Sequence, residues 1–245
     1  MGSAEADTIR GNGGNDTLTG LGGPDVLNGG SGSDTARHDE KTGGIAVSLN
    51  GSTAVSVKVG GVDEDSIRNI EHVTGGSGDD VIKGDKLANR LAGNSGDDSL
   101  VGGDGNDTLS GGLGADIVKG GGGRDAFVFN TALGSGNVDV VRDFRHDVDV
   151  LRLDGAILAA IGSSLGAAEF YAKAGATKAH DATDATDATD ATDATDATDA
   201  TDRIVYNTTN GNLYYDADGR GGDAAILFAT LSNKPVLDHG DFAIV

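Results

Sequence analysis

Cysteine and tryptophan are absent from this sequence of 245 residues, and proline occurs only twice. Without cysteine, the chain has no disulfide bond, no thiol nucleophile and no cysteine-ligated zinc or iron–sulfur site. Aromatic residues make up only 4% of the chain, and the longest apolar run, near residues 156–161, is too short to cross a bilayer. The first residues have neither a basic start nor an apolar stretch, so we expect no Sec-type signal peptide.

Acidic residues are in large excess, with 39 Asp and Glu against 18 Lys and Arg and a net charge of −21. Only five of the acids are Glu, and 42 residues are Gly. Asp and Gly favour turns over helix interiors, so this composition argues against a helix bundle. The negative charge argues against nucleic acid or an anionic membrane surface as a partner, because both repel it, and we expect no membrane insertion; cations are the natural partners.

A nine-residue repeat runs through two parts of the chain. Units begin at Gly2, Gly11, Gly20 and Gly29, and again at Gly75, Gly84, Gly93, Gly102, Gly111 and Gly120. The sixth position of the ten units is Asn89 once and Asp otherwise: Asp7, Asp16, Asp25, Asp34, Asp80, Asp98, Asp107, Asp116 and Asp125. The eighth position is always apolar: Ile9, Leu18, Leu27, Ala36, Ile82, Leu91, Leu100, Leu109, Val118 and Phe127. The spacing indicates a repeat architecture.

The residue types in each unit predict its structure and its ligand. A short strand such as Thr108-Leu109-Ser110 has one inward apolar residue, which is buried only if successive turns stack. The Gly-rich loop between strands leaves carbonyl oxygens free beside an Asp carboxylate. Flexible loops of oxygen donors suit Ca²⁺, which takes six to eight such ligands, better than the strictly octahedral Mg²⁺. A disordered Gly/Asp linker would not explain the apolar eighth position, although without Ca²⁺ we expect the chain to be disordered.

The unit from Gly102 to Ser110 resembles the GGxGxDxUx nonapeptide of the RTX (repeats-in-toxin) family, also called hemolysin-type calcium-binding repeats. The resemblance implies a parallel β-roll in which two units form one turn and Ca²⁺ lies between loops on the same side. Sixth-position residues two units apart would then share an ion: Asp7 with Asp25, Asp16 with Asp34, Asp80 with Asp98, Asp98 with Asp116, Asp107 with Asp125 and, more weakly, Asn89 with Asp107. Loop carbonyls implied as ligands belong to Gly11, Gly14, Gly29, Gly32, Gly75, Gly78, Gly93, Gly96, Gly102, Gly105, Gly111 and Gly114.

We therefore predict an all-β chain, a parallel β-roll of two repeat blocks with a C-terminal β-rich cap. The predicted organisation is repeat block 1 (1–37), a linking hairpin and degenerate repeat (38–74), repeat block 2 (75–128), a cap (129–179), an acidic Asp-Ala-Thr spacer (180–202), and a continuation of the cap with a secretion signal (203–245).

In the linking segment, alternating apolar residues on either side of Asn50-Gly51-Ser52 predict a hairpin. Counting back nine residues from Asp80 gives a degenerate unit, Ser66–Thr74, with Glu71 at its sixth position. Glu71 is either a metal ligand alongside Asn89 or a solvated loop carboxylate.

The segment after the repeats is similar to the one that closes the repeat domain of serralysin-type proteases, which implies a cap over the last apolar layer. Helical spacing of apolar residues predicts a short helix over 155–174. Asp216 and Asp218, together with Asp223, form either one more Ca²⁺ loop or a tight turn. The last residues, Asp241, Phe242, Ala243, Ile244 and Val245, resemble an uncleaved type I secretion signal, the alternative being a plain terminal strand.

We predict no enzymatic activity. The five histidines form no H-E-x-x-H pair, and the formal G-x-S-x-G string around Ser164 lacks the strand–turn–helix context of a nucleophile elbow. The resemblance implies an extracellular calcium-binding protein, exported from a Gram-negative bacterium by a type I secretion apparatus and folded by Ca²⁺ on arrival. Two alternatives remain: the secretion and folding module of a larger RTX enzyme, toxin or adhesin, and a small secreted protein that binds a surface or polymer.

Overall fold

The computed structural model describes residues 1–158, 164–173, 176, 203–217 and 225–245. The acidic spacer and the candidate ligands Asp218 and Asp223 lie outside these residues. Secondary structure in the described part is β apart from two 3-10 turns, Ala167–Glu169 and His239–Asp241. The strands are β1 (Thr8–Gly13), β2 (Thr17–Leu18), β3 (Val26–Ser31), β4 (Thr35–Arg37), β5 (Ile45–Ser48), β6 (Val55–Val59), β7 (Val62–Arg68), β8 (His72–Thr74), β9 (Val81–Lys83), β10 (Arg90–Ser95), β11 (Ser99–Asp104), β12 (Thr108–Leu113), β13 (Ile117–Gly122), β14 (Ala126–Phe129), β15 (Asp139–Val141), β16 (Val150–Leu153), β17 (Phe170–Lys173), β18 (Ile204–Asn207), β19 (Asn212–Tyr215), β20 (Ile226–Leu231) and β21 (Phe242–Ile244).

Successive repeat units place their strands alternately in two sheets. The larger sheet has the order β1-β3-β7-β6-β5-β9-β11-β13-β15-β20-β19-β18-β17, and the smaller sheet has the order β2-β4-β8-β10-β12-β14-β16-β21. Residues in equivalent positions two units apart pair in parallel register, as Leu91 does with Leu109 and Leu100 with Val118. Two units therefore form one turn, and the predicted parallel β-roll is confirmed.

The core of the roll is the column of eighth-position side chains between the sheets. Leu27, Leu91 and Leu100 are completely buried, and Ile9, in the first turn, is only partly covered. Each turn contributes one inward residue from each sheet, so a single turn has too little apolar surface to be stable alone. Stacking completes the burial, which stabilises the fold by roughly 1.5–3 kcal/mol for each large aliphatic side chain.

The linking segment joins the two blocks differently in the two sheets. In the smaller sheet, β4 pairs directly and in parallel with β8, so the stack of turns continues without a gap. In the larger sheet, β5, β6 and β7 form an antiparallel meander between β3 and β9. The hairpin expected from the sequence is the β5–β6 pair, and β7 is a third strand that pairs with β3 of the first block.

The C-terminal residues extend both sheets beyond the repeats. Strand β15 continues the larger sheet and β16 the smaller, and each pairs in parallel with a strand from the end of the chain, β20 and β21. Aromatic pairs pack over the last apolar layer, with ring centroids 6.0 Å apart for Phe127 and Phe144 and 5.4 Å apart for Phe129 and Phe228.

The helix predicted for 155–174 is wrong for the residues that the structure describes. Residues 167–169 form a 3-10 turn, and 170–173 form β17, which pairs in parallel with β18. Pairing with a neighbouring strand overrides the helical spacing of the apolar residues. In the described ranges, no helix has the length and apolar character needed to cross a membrane.

Candidate metal centre

Sixth-position carboxylates of successive turns are connected through the main chain. The N–H of Asp80 donates to Asp98 Oδ1 at 2.7 Å, and the N–H of Asp98 donates to Asp116 Oδ1 at 2.8 Å. We call this series of contacts the carboxylate ladder. All five Asp pairs expected from the sequence are joined in this way at 2.7–3.0 Å: Asp7–Asp25, Asp16–Asp34, Asp80–Asp98, Asp98–Asp116 and Asp107–Asp125.

Asn89 and Glu71 occupy the irregular part of the ladder. The N–H of Asn89 donates to Asp107 Oδ1 at 2.8 Å, as expected for the weaker pair. The Glu71 carboxylate accepts from the N–H of Asp34 at 2.9 Å, while Asn89 Nδ2 donates to the main-chain oxygen of Glu71 at 2.9 Å. The side chain of Glu71 therefore continues the ladder from Asp34 and makes no hydrogen bond with the side chain of Asn89 among the described residues, and ligation of a metal by Glu71 alongside Asn89 stays a prediction. Glu71 has a longer side chain than Asp, which reaches back to the preceding turn.

Three members of the ladder lie outside the nine-residue pattern. Asp65, Asp139 and Asp149 accept from the N–H groups of Asp25, Asp116 and Asp125 at 3.0, 3.2 and 3.0 Å. Each is followed two residues later by a fully buried apolar residue: Ile67, Val141 and Leu151. This Asp-x-apolar triplet also occurs at positions six to eight of the regular units, and it is a sequence signal that the three residues share with those units.

The second carboxylate oxygen has no hydrogen-bond partner at most positions of the described ladder. The affected atoms are buried and belong to Asp16, Asp25, Asp34, Asp65, Asp98, Asp107 and Asp116. A buried carboxylate oxygen without a donor is costly, because it has lost water and gained nothing in exchange. Such an arrangement is stable when a cation supplies the missing contact.

Beside several first-position glycines, a main-chain carbonyl oxygen lies near the free carboxylate oxygen of the sixth residue. A Cβ atom added to Gly93 would lie 1.9 Å from Asp98 Oδ2 and 2.6 Å from the carbonyl oxygen of Gly111, one turn further on. The corresponding distances at Gly102 are 2.2 Å to Asp107 Oδ2 and 2.6 Å to Gly120 O. A carboxylate oxygen and a carbonyl oxygen from successive turns therefore converge on a space that only glycine leaves open. Gly11, Gly29, Gly75 and Gly111 of the expected ligand set likewise lie against the carboxylate of their own unit.

The fourth-position glycines of the expected ligand set form the outer part of the loops. Positive φ angles between 105° and 134° make glycine the favoured residue at five of the six: Gly14, Gly32, Gly96, Gly105 and Gly114. The carbonyl oxygen of Gly96 lies 2.0 Å from a Cβ built on Gly114, so the loops stack with main chain against main chain. Gly78, the sixth, is covered instead by the main chain of residues 42–44 from the linking segment.

Burial and mutual repulsion keep these carboxyls weakly acidic in the absence of a cation. Burial, and then the charges of Asp116 and Asp80, raise the pKa of Asp98 to about 8. Burial and the charge of Asp116 raise the pKa of Asp139 to about 8. Burial likewise raises the pKa of Asp65 and of Asp107 to about 6. A carboxyl with a raised pKa opposes folding when it is ionised without a counter-charge.

The remaining candidates lie at the C-terminal end. Asp216 is buried directly after β19, and its N–H donates to the carbonyl oxygen of Arg203 at 2.9 Å. Asp241 ends a 3-10 turn, Phe242–Ile244 form β21, which pairs with β16, and Val245 follows the strand; Asp241 is buried and Val245 is exposed.

The donor set fits a hard divalent cation. We call two ladder residues that are joined by one of these contacts a rung. At a regular rung, all the atoms that are free to bind a cation are oxygens from flexible Gly-rich loops. They comprise carboxylate oxygens and main-chain carbonyl oxygens. This is the ligand chemistry that Ca²⁺ prefers. The residues that would hold the ion are the sixth-position carboxylates and the first-position carbonyls described above.

Comparison with known proteins bears on the repeat blocks. A family model described as RTX calcium-binding nonapeptide repeat (4 copies) matches residues 1–36, 69–86 and 92–127. No curated protein is similar enough in sequence to be matched.

Among solved structures, the extracellular lipase LipA from Serratia marcescens is similar to this chain with 17% identity and a TM-score of 0.35. The alignment covers 100% of this chain and 39% of the lipase chain, so the chain spans well under half of that protein. The matched nonapeptides, the parallel roll and the ladder of carboxylates agree with one another, and they identify the two repeat blocks of this chain as RTX calcium-binding nonapeptide repeats.

Proposed function

We propose that Ca²⁺ binding between the loops drives the folding of this chain, and that folding follows export from the cell. The observation that carries the proposal is the row of buried carboxylate oxygens that have no hydrogen-bond partner among the described residues. In the absence of a cation these atoms make the folded roll unstable, while in the unfolded chain water solvates them.

Charge repulsion and cation binding favour a switch between an unfolded metal-free chain and a folded Ca²⁺-bound roll. The net charge of −21 resists collapse of the metal-free chain. A cation that binds only the folded roll contributes its binding free energy to folding. Because Asp98 and Asp116 each belong to two rungs of the ladder, binding at one rung orders the ligands of the next. We therefore expect folding to be cooperative in Ca²⁺ concentration.

The position of the last residues supports folding after export. Asp241 and Phe242 are buried in the folded chain, in contact with the end of the roll. A signal made of these residues is accessible to a type I secretion apparatus only before the chain folds. Extracellular Ca²⁺ modules work at roughly 10⁻⁴–10⁻³ M, well above the working range of cytosolic sensors. The chain would stay unfolded inside the cell, be recognised and exported, and fold outside.

The proposal assigns binding and no catalysis to this chain. Ser164, the central residue of the formal G-x-S-x-G string, is exposed, and the residues after it form a 3-10 turn and then β17. A nucleophile elbow requires a strand before the serine and a helix after it, which positions the side chain over an α/β sheet. The 3-10 turn and strand that follow Ser164 among the described residues support the proposal.

Far-UV circular dichroism of metal-free protein titrated with Ca²⁺, with Mg²⁺ as the control, tests the folding step. We expect a cooperative transition from coil to β structure with Ca²⁺ and little change with Mg²⁺. A metal-free spectrum that is already β and does not change with Ca²⁺ would refute the proposal.

A separate experiment tests the secretion step. The chain and a version lacking residues 241–245 are produced in bacteria that carry a type I secretion apparatus, and the protein in the medium is measured. We expect the full chain in the medium and the shortened chain inside the cells. Equal export of both would show that these residues are a plain terminal strand.

A further inference from the structure

One rung of the carboxylate ladder has a basic side chain where the other rungs have free oxygens. Asp125 and Asp149 are joined by the regular contact, the N–H of Asp125 donating to Asp149 Oδ1 at 3.0 Å. Arg145 Nη2 donates to Asp149 Oδ1 at 2.7 Å, and its Nε donates to Asp149 Oδ2 at 3.1 Å. The same Nη2 lies 3.4 Å from Asp125 Oδ2 and also donates to the carbonyl oxygen of Gly123.

The atoms around this guanidinium are of the same kinds as the oxygens of a regular rung, with the carbonyl coming from a fourth-position glycine, a position also in the expected ligand set, and not from a first-position glycine. It consists of two ladder carboxylates from successive turns and one loop carbonyl. Gly123 is the fourth residue of its unit, in the position that Gly96 and Gly105 hold in theirs. At the Asp98–Asp116 rung the outer oxygens have no partner in the described residues, whereas Asp125 and Asp149 have a positive charge bound between them.

A basic side chain near the ladder is not enough to produce this arrangement. Lys41 is buried beside the Asp25–Asp65 rung, but its Nζ contacts Glu64 Oε1 at 2.5 Å and the carbonyl oxygen of Leu21. Asp25 Oδ2 and Asp65 Oδ2 remain without a hydrogen-bond partner among the described residues. Arg145 therefore differs from Lys41, because it contacts both carboxylates of its rung.

We propose that Arg145 is a built-in cation that takes the place of Ca²⁺ at the Asp125–Asp149 rung, so that the turn next to the C-terminal cap has a bound positive charge without metal. The inference rests on the proposed Ca²⁺ binding of the regular rungs. The contacts of Arg145 with Asp149 span only four residues, and Asp149 N donates to Arg145 O at 2.9 Å within the same short turn. Closing so short a segment costs little chain entropy. The cap end therefore provides a surface that is formed before Ca²⁺ binds and on which the Ca²⁺-dependent turns stack.

Calcium stoichiometry of the full chain tests the inference. Bound Ca²⁺ per chain is measured by isothermal titration calorimetry for the unmodified protein, Arg145→Ser, Arg145→Lys and the control Arg142→Ser. Arg142 is exposed, and no ion pair joins it to a carboxylate in the described ranges. We expect Arg145→Ser to bind one additional Ca²⁺, and the other two variants to bind the original number. An unchanged number for Arg145→Ser would overturn the inference.

A second pair of variants tests whether Arg145 or Ca²⁺ occupies the Asp125–Asp149 rung if Arg145→Ser does not fold. Asp149→Asn should bind as many Ca²⁺ ions as the unmodified chain, because Arg145 and not a metal occupies its rung. Asp116→Asn, at regular rungs, should bind at least one ion fewer. Loss of an ion in Asp149→Asn would overturn the inference. Failure of the unmodified chain to bind Ca²⁺ would instead refute the proposed function, so the two failures are distinguishable.

Discussion

Asp98 and Asp116 lie one turn apart in the roll, and the N–H of Asp98 donates to Asp116 Oδ1 at 2.8 Å. With this oxygen, Asp116 fixes the preceding turn in register. Its other carboxylate oxygen is buried and has no hydrogen-bond partner in the part of the chain that the structure describes, so it is available to a cation. Asp116 thus has one oxygen that holds the neighbouring turn and one that is available to the proposed cation, and this division leads to the following predictions.

Asp98→Asn should weaken Ca²⁺-dependent folding more than Asp7→Asn. Asp98 belongs to two rungs in the middle of the second block, whereas Asp7 lies at the first turn and its Oδ2 already accepts from Ser3. We expect a several-fold higher Ca²⁺ midpoint for Asp98→Asn and a small change for Asp7→Asn, measured by circular dichroism. Equal midpoints would contradict the sharing of ligands between turns.

Gly93→Ala should prevent or strongly impair Ca²⁺-dependent folding. The new Cβ would lie 1.9 Å from Asp98 Oδ2 and 2.6 Å from Gly111 O, in the space where the two oxygens converge. Gly136→Ala is the matched control, since no atom beyond the neighbouring residues lies within 4 Å of its added Cβ in the described structure. The Ca²⁺ midpoint of each variant measures the effect, and equal midpoints would argue against a cation at this space.

The metal-free chain should gain β structure as the pH falls. In the unfolded chain the ladder carboxyls have pKa values near 3.8, but in the roll burial raises the pKa of Asp98 and of Asp139 to about 8 and that of Asp65 and of Asp107 to about 6. The folded state therefore binds these protons more tightly. Its stability is highest below pH 3.8 and is lost as the pH rises through 6 and then 8.

Circular dichroism of the metal-free chain at pH 4 and pH 8.5 measures this effect. We expect more β structure at pH 4, and recovery of β structure at pH 8.5 on addition of Ca²⁺. The double variant Asp98→Asn, Asp139→Asn should show a smaller change between pH 6 and 8. A coil spectrum at both pH values would contradict the assigned role of the carboxyls.

His38→Leu should raise the stability of the Ca²⁺-loaded protein, by about 1 kcal/mol. His38 is completely buried, its two ring nitrogens have no hydrogen-bond partner among the described residues, and Nδ1 lies 3.7 Å from Asp65 Oδ2. Burial lowers the pKa of His38 to about 4, so the ring is neutral at pH 7 and gains little from this carboxylate. Thermal unfolding in saturating Ca²⁺ measures the change.

His72→Leu is the matched control for this variant. His72 Nδ1 accepts from the N–H of Arg90 at 2.9 Å, and Nε2 is 2.7 Å from Ser33 Oγ. Its loss leaves polar groups without partners, so we expect a lower melting temperature. A large loss of stability in His38→Leu would show that the ring has a binding partner.

The sequence pattern predicts the regular part of the roll because its period is strict. Once the sixth residue of each unit is aligned, parallel register follows, and the eighth residues form one core column, as Leu91 and Leu109 do. The same period predicts which carboxylates meet, because stacked turns are two units long.

The nine-residue period does not predict the ladder members that lie outside it. Asp65, Asp139 and Asp149 follow their partners by 40, 23 and 24 residues, so counting in nines does not reach them. Their positions depend on tertiary pairing, as does β17, where strand pairing replaced the expected helix. The repeat pattern likewise does not predict the role of Arg145, because that role depends on how the turn at 145–149 folds back on the last repeat loop.

The meander of the linking segment has a use in protein engineering. It enlarges one sheet while β4 and β8 keep the other continuous, so added chain at its tip does not alter the stacking of the repeats. The tip is Gly60-Gly61, with φ angles of 56° and 86° and no atom beyond the neighbouring residues within 4 Å of an added Cβ in the described structure. If the proposed function is right, a peptide grafted between these two glycines would be displayed on a scaffold that folds when calcium is added and unfolds when a chelator removes it.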